Sequence, residues 1–581
     1  MRRRRSPEVD DLRRLVRVAR GLSPADLLIR NAKVLNLFSG RVEDKSVAIC
    51  GETIGGVGDY TDAASALDAQ GAFLLPGLAD AHIHLESSIV APTEFARAVV
   101  PFGTTAVFAD PHEIANVLGA KGVQALLRAT EALPLEVFFT VPSCVPATSL
   151  ETAGAALGYE EVAALLDEPR VVGLGEMMNV PGVLEGDPEA LGKIAAARAK
   201  SKVIDGHAPL VGGRDLQAYL ATGISSDHES ISADEAREKL AASMRLIIRE
   251  GSAAKNLADL LPVVLENPAT ARRCAFGSDD VHPHHLREGH MTCLLRKAVA
   301  LGLDPLAAVQ MASLNVFEHF GIPRRGAVAP GYDADLLLVR DLRNFEPLTV
   351  IKSGAVVAQH AELTCDVPSA ELSALRGTMH LSPVESAAFK IRATGERARV
   401  IEVVSRQILT RATIASPPRH QGCWLADPSQ DLLKAAVIER HSRSGRVGLG
   451  FVRGFGLRRG ALASTVAHDS HNLVVVGVSD EEMTSAANTV IASGGGQAVV
   501  AGNQVLAHLP LPLAGLMSDL PLAEVSKRAS ALDDAARELG CSLPSPMMTV
   551  SFLALPVIPE LRLTDHGLID VALFKVVPLE A

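Results

Sequence analysis

The chain has 581 residues, 48% hydrophobic and 21% charged, with 56 basic against 67 acidic side chains and a formal charge of -11. That is apolar material for two or three domain cores, while the acidic balance, one Trp and four Tyr argue against a nucleic-acid partner, which calls for a basic face and stacking aromatics. No window reaches the roughly 18 apolar residues of a spanning helix, and Met1-Arg2-Arg3-Arg4-Arg5 leads into no apolar signal core, so a cytoplasmic globular protein with no membrane partner is expected.

The Arg2–Arg5 cluster reads as a solvated terminus rather than a binding arm. The seven cysteines are scattered without CxxC spacing, which indicates reduced thiols rather than a disulfide framework or a thiolate metal site.

In chain order, Asp26–Asn36, Ser46–Glu52 and Ile54–Gly58 read as short strands joined by glycine-rich turns. A matching return comes far downstream, in Gly331–Val339 and Val350–Val357, as if the middle of the chain were inserted into one small β unit. Between about 76 and 325, short apolar strands alternate with Ala- and Leu-rich helical stretches, the pattern of βα units around a buried parallel sheet. The strands end at His82/His84, Asp110, near Pro142, Glu176, His207, His228, Arg249 and Asp279. Eight strands, nearly all closing on a residue able to do chemistry, predict an α/β fold with a (β/α)8 TIM-like barrel and its site at the C-terminal strand ends. The expected boundaries are 1–75 and 326–379 for the two halves of the small β domain, 76–325 for the barrel, and 380–581 for a C-terminal α/β domain. That last region holds the strand Leu473–Val478 and helices Glu481–Ala492 and Ala523–Leu539. Gly494-Gly495-Gly496 lacks the spacing of a phosphate loop and reads as a tight turn.

The strongest local signal is His82-Ile83-His84, closing the run Phe73–Ala81. Two imidazoles at i and i+2 share one face of a strand and make a chelate for a divalent metal. Adding Glu176, His207, His228 and Asp279 gives four imidazoles and two carboxylates, enough for two divalent ions bridged by one carboxylate and a hydroxide. A lone histidine is more often structural; six such residues at strand ends in order favour the metal reading.

Pro76–Ser88, Ala109-Asp110-Pro111-His112-Glu113-Ile114-Ala115-Asn116-Val117, Ser143–Thr148, Gly206–Pro209, Ser226–Ser230, Ser278–Asp280 and Ala467–Asn472 carry a resemblance to the amidohydrolase superfamily and, within it, to the adenine deaminase family. The resemblance implies a metal-binding barrel flanked by a β-sandwich drawn from both of its sides. It also implies hydrolysis of adenine to hypoxanthine and ammonia in purine salvage, Mn(II) as metal, and a homodimer. All-N/O ligation suits Fe(II) or Zn(II) as well. Where hydantoinases and dihydroorotases bridge their metals with a carboxylated lysine, this chain has Glu176. Where single-metal deaminases place a proton-shuttling Glu three residues after the strand-five His, it has Leu210.

Expected roles follow. Asp279 accepts and relays the proton of the attacking water, and His228 orients that water or polarises the amine. Glu113 and Glu86 are the candidates to protonate the ring. Asp110, His112, Asp280 and Ser87 support the ligands or touch substrate, with Asp110 and His112 a candidate auxiliary metal site. His282, His284 and His285 line the rim. His468, Asp469 and His471 form either a polar turn or part of the pocket closure. The rival readings are a cyclic amidase of the dihydroorotase or hydantoinase type and a non-catalytic scaffold on the same fold.

Overall fold

The computed structural model describes residues 9–581 apart from Ala253 and Arg406; the Arg2–Arg5 cluster lies outside the described residues. Its centre is a curled parallel sheet. The strands are β1 Leu78–Ile83, β2 Thr104–Ala109, β3 Glu136–Val141, β4 Val171–Met177, β5 Val203–Gly206, β6 Ser226–Asp227, β7 Arg245–Arg249 and β8 Cys274–Gly277. β1 to β5 pair in sequence order, as do β6 to β8, every pair parallel. Apart from the two-residue β6, these are rich in Val, Leu, Ile, Phe and Ala, with every residue of β1, β2 and β8 buried, as expected for strands covered on both faces. All eight expected strands are present.

Backbone contacts carry the curl past the two breaks in pairing. Ser225 N–H donates to Ile204 C=O at 3.0 Å beside β5, and Asp279 N–H donates to His82 C=O at 2.9 Å beyond β8. Helices such as Pro188–Ala199, capped by the Asp187 side chain on Ala190 N–H, and Ala233–Ala241, capped by Ser232, return the chain between strands.

A nine-stranded sheet is built from both flanks of this unit. Leu336–Val339 pairs antiparallel with Phe73–Pro76, which in turn pairs with Ala25–Asn36. The run Val350–Val357, expected as one strand, is a hairpin: Pro347–Lys352 turns at Ser353 and Gly354, both left-handed, into Ala355–Gln359. The Ser-Gly pair was the missed turn signal. Gly331–Val339 is likewise shorter than expected, ordered as a strand only from Leu336.

The C-terminal region holds an eight-stranded sheet in which Leu473–Gly477 is central, flanked by helices Asp480–Ala492 and Leu522–Glu538. Gly494 and Gly495, in the turn, and Gly496, the first residue of the strand Gly496–Ala501, all have positive φ. Every cysteine is a free thiol, and among the described residues no helix is long and apolar enough to cross a membrane.

Candidate metal centre

The ends of β1, β4, β6 and β8 converge. His82 and His84 have ring centroids 4.8 Å apart, and His82 stacks on His228 at 4.0 Å. Atoms of His82, His84 and Asp279 lie within 4.8 Å of one another, and the same holds for His82, Glu176 and His228. All five side chains are buried.

Glu176 stands between two sets of imidazoles. Its Oε1 is 3.6 Å from His84 Nε2 and 3.0 Å from His112 Nδ1, while its Oε2 is 2.7 Å from His207 Nδ1 and 3.1 Å from His228 Nε2. Burial alone would drive this carboxyl towards its neutral form. The contacts from His112, His207 and His228 outweigh that and hold it well below the ordinary carboxylate range. His84 is oriented from behind, with its Nδ1 2.9 Å from the Asp110 carbonyl. That contact leaves Nε2 facing Asp279 Oδ1 at 3.3 Å, as in an imidazole set up to ligate through Nε2.

Several buried nitrogen and oxygen atoms that could ligate a metal converge here, His82 Nε2, Glu176 Oε1, His112 Nδ1 and Asp110 Oδ1, none of them in a well-aligned hydrogen bond. Buried polar atoms are otherwise nearly always paired, and an all-N/O set pointing at shared space fits divalent cations.

The supporting residues are well defined. Asp110 Oδ2 accepts from Glu176 N–H at 3.1 Å. Ser87 Oγ donates to Asp280 Oδ1. Glu86 Oε1 accepts from Ile114 N–H at 3.0 Å in the first turn of the helix His112–Leu118, and burial pushes its carboxyl up to about 7. Glu86 thus serves that helix start. Glu113 points the other way, to His468 Nδ1 at 2.6 Å and to His471 Nε2. The His468–His471 turn is thus in contact with Glu113, one residue from His112. His285 Nδ1 is 2.7 Å from Ser252 Oγ, and His282 N–H donates to the same hydroxyl, which ties the rim histidines to one another.

Three residues that the sequence reading left out of the site stand beside it: Arg249, Glu229 and Asp80. Arg249, at the end of β7, donates to Asp279 Oδ2 at 2.6 Å and to both oxygens of Glu229. Glu229 also groups with His207 and His228. Burial alone would raise Asp279; the Arg249 guanidinium and His84 outweigh it and hold the carboxylate well below its usual range. The available signals were an arginine where other strands end in a ligand, and a glutamate directly after His228. Asp80 was also missed. Fully buried on β1, it accepts from His82 N–H at 3.1 Å and Ser278 N–H at 3.0 Å, and lies 3.0 Å from His290 Nε2.

Residues 73–357 match the amidohydrolase family model, and residues 407–575 match the adenine deaminase C-terminal domain. The curated adenine deaminase of Desulfatibacillum aliphaticivorans is 48% identical over 575 residues, covering 98% of this chain and 100% of its own. The chain belongs to the adenine deaminase family. Adenine deaminase 2 of Carboxydothermus hydrogenoformans is 47% identical, covering 97% of this chain and 99% of its own. The adenine deaminase of Methanothrix thermoacetophila gives the same three figures, 47%, 97% and 99%. A solved adenine deaminase structure aligns with a TM-score of 0.43 and 16% identity, over 57% of this chain and 99% of that one. That likeness decides nothing about the site. Membership of the amidohydrolase family makes this a metal-dependent hydrolase fold, and the clustered His, Asp and Glu side chains offer it metal ligands.

Proposed function

We propose that this chain hydrolyses adenine to hypoxanthine and ammonia at a pair of divalent ions seated at the mouth of a (β/α)8 barrel. In this reading the barrel spans about 76–325, between sandwich halves at 1–75 and 326–379, with the C-terminal domain at 380–581. The observation that carries the reading is Glu176, whose two oxygens face separate imidazole sets at 3.6 Å and 3.1 Å, the arrangement a bridging carboxylate needs. His82, His84 and Asp279 would hold one ion, His207 and His228 the other, with Glu176 shared. Mn(II) is the proposed metal, with Fe(II) and Zn(II) the alternatives that reconstitution would separate.

Bound divalent ions lower the pKa of water to about 7 and supply a nucleophile at neutral pH. The rest is the work of side chains. Asp279, kept ionised by Arg249, accepts the proton of the attacking water. His228, between Glu176 and Glu229 at 3.1 and 3.8 Å, orients the attacking oxygen. Glu113 lies across the site, its oxygens engaged by His468 and His471, and carries a proton to the ring nitrogen. Of the two candidates Glu113 is taken because it also faces the barrel residue His112, at 3.5 Å, whereas Glu86 Oε1 accepts from Ile114 N–H. Water adds at C6, the amine leaves as ammonia, and the ring keeps the oxygen. The family resemblance supports a cytoplasmic homodimer, which light scattering would check.

The test is to purify the chain with Mn(II), offer adenine, adenosine, guanine and dihydroorotate, and follow ammonia release and ring absorbance. Turnover of adenine with two ions per chain is expected. An inactive protein carrying two ions would sink the reading.

A further inference from the structure

The segment Ala467–Asn472 joins the strand Ala461–Ser464 to Leu473–Gly477, far in sequence from the metal centre. It folds into a closed turn: His471 N–H donates to Ala467 C=O at 2.7 Å, with His471 left-handed at φ 54°. Arg440, fully buried, grips the turn from below through the His471 carbonyl and also donates to Ala514 C=O at 2.8 Å. Asn472 Nδ2 donates to Thr152 C=O at 2.8 Å, which fastens the turn to the loop that follows β3. This segment is therefore held on both sides.

The hydrogen bonds of His471 fix its tautomer. Nδ1 accepts from the Ala467 backbone N–H at 3.1 Å, so the ring proton sits on Nε2, and Nε2 donates to Glu113 Oε2. His471 is only 1% exposed, so bulk solvent does not compete for that bond. Glu113 Oε1 is left towards His468 Nδ1 at 2.6 Å and His112 Nε2 at 3.5 Å. Both carboxylate oxygens thus meet histidines of the C-terminal region, Oε2 taking the His471 donor and Oε1 facing His468, with the barrel residue His112 farther from Oε1 at 3.5 Å.

We propose that His471 is a positioning residue for Glu113, so that the C-terminal region supplies part of the deamination machinery. The inference rests on the adenine reading above. Burial lowers the proton affinity of His471, in keeping with a neutral ring that donates through Nε2 alone. A carboxylate that must collect and release a proton within one turnover gains from a neutral donor that fixes its rotamer without holding a second charge against it. His468, whose ring stacks on Phe552 at 4.8 Å, closes the other side of Glu113.

The test contrasts two near-isosteres. In His471→Gln the amide N–H reaches the place of Nε2 and keeps the donor to Glu113. In His471→Asn the side chain can still accept from Ala467 N–H but is too short to reach Glu113. His471→Asn is expected to lower kcat about 100-fold, the lower end of what a positioned acid or base contributes, with KM for adenine within about threefold and unchanged metal content and melting temperature. His471→Gln is expected to recover at least tenfold of that loss. In a Glu113→Gln background, His471→Asn should add no further loss, because residues acting as one unit are non-additive. Equal kcat for the Gln and Asn variants would overturn the proposal, as would a full multiplicative loss on top of Glu113→Gln, or loss of metal in His471→Asn. A wild-type chain inactive on adenine would sink the adenine reading itself; an active wild type with an unaffected His471→Asn would sink this proposal alone.

Discussion

The backbone N–H of Asp279 donates to the carbonyl of His82 at 2.9 Å, and the Asp279 carbonyl accepts from His84 N–H at 3.2 Å. The last carboxylate of the candidate centre is thus set against its first two imidazoles by main-chain bonds. Asp279 adopts a left-handed conformation, φ 58°, at this junction, a geometry that costs a non-glycine residue on the order of 1 kcal/mol. Aspartate is among the side chains that tolerate it best.

Replacing Glu176 with Gln leaves one oxygen and one amide where two oxygens face the two imidazole sets. Metal content measured by elemental analysis should fall to at most one ion per chain, and kcat should drop by about 10³-fold or more. Two ions per chain in this variant would show that Glu176 does not bridge.

Arg249→Leu removes the partner of both Asp279 and Glu229. The buried carboxylate of Asp279 and the partly buried one of Glu229 then lack their shared cation. We expect kcat lower by about 100-fold, with Arg249→Lys intermediate because an ammonium cannot span both partners bidentately. Wild-type kcat in Arg249→Leu would remove Arg249 from the machinery.

Leu210 stands where related single-metal deaminases carry a glutamate, and here its side chain is 75% exposed at a left-handed residue, φ 61°. Leu210→Glu should leave kcat for adenine within about twofold, since a solvent-facing carboxylate gains no place at the reacting ring. A large change in rate, either way, would mean that this loop reaches the substrate.

Stability should depend on Glu136, at the start of β3, where it meets Arg325 at 2.7 Å and Lys352 at 3.4 Å. Burial would raise its carboxyl; Lys352 and Arg325 outweigh that and bring it down from 4.5 to about 2. A depressed carboxylate stabilises the fold above its unfolded pKa and loses that contribution as pH falls through the folded value. Glu136→Gln should therefore lower the unfolding free energy by about 3 kcal/mol at pH 7, at roughly 1.4 kcal/mol per pK unit. The gap to wild type should close between about pH 4.5 and 2 in denaturant titrations. A gap that persists at pH 2 would place the effect in packing.

The eight strand ends, the six candidate ligands and the flanking β unit could all be read locally. Each depends on a short apolar run meeting a polar residue, or on a turn signal, and burial on both faces of a parallel sheet writes that pattern into consecutive residues. Tertiary structure alone decided which oxygen of Glu176 meets which imidazole. It also decided that Arg249 joins Glu229 to Asp279, that Glu86 serves a helix start, and that Glu113 turns to His468 and His471. Those pairings link residues from different strands and from opposite ends of the chain. Their partners are chosen by the packing of whole elements, so no spacing in the sequence records them.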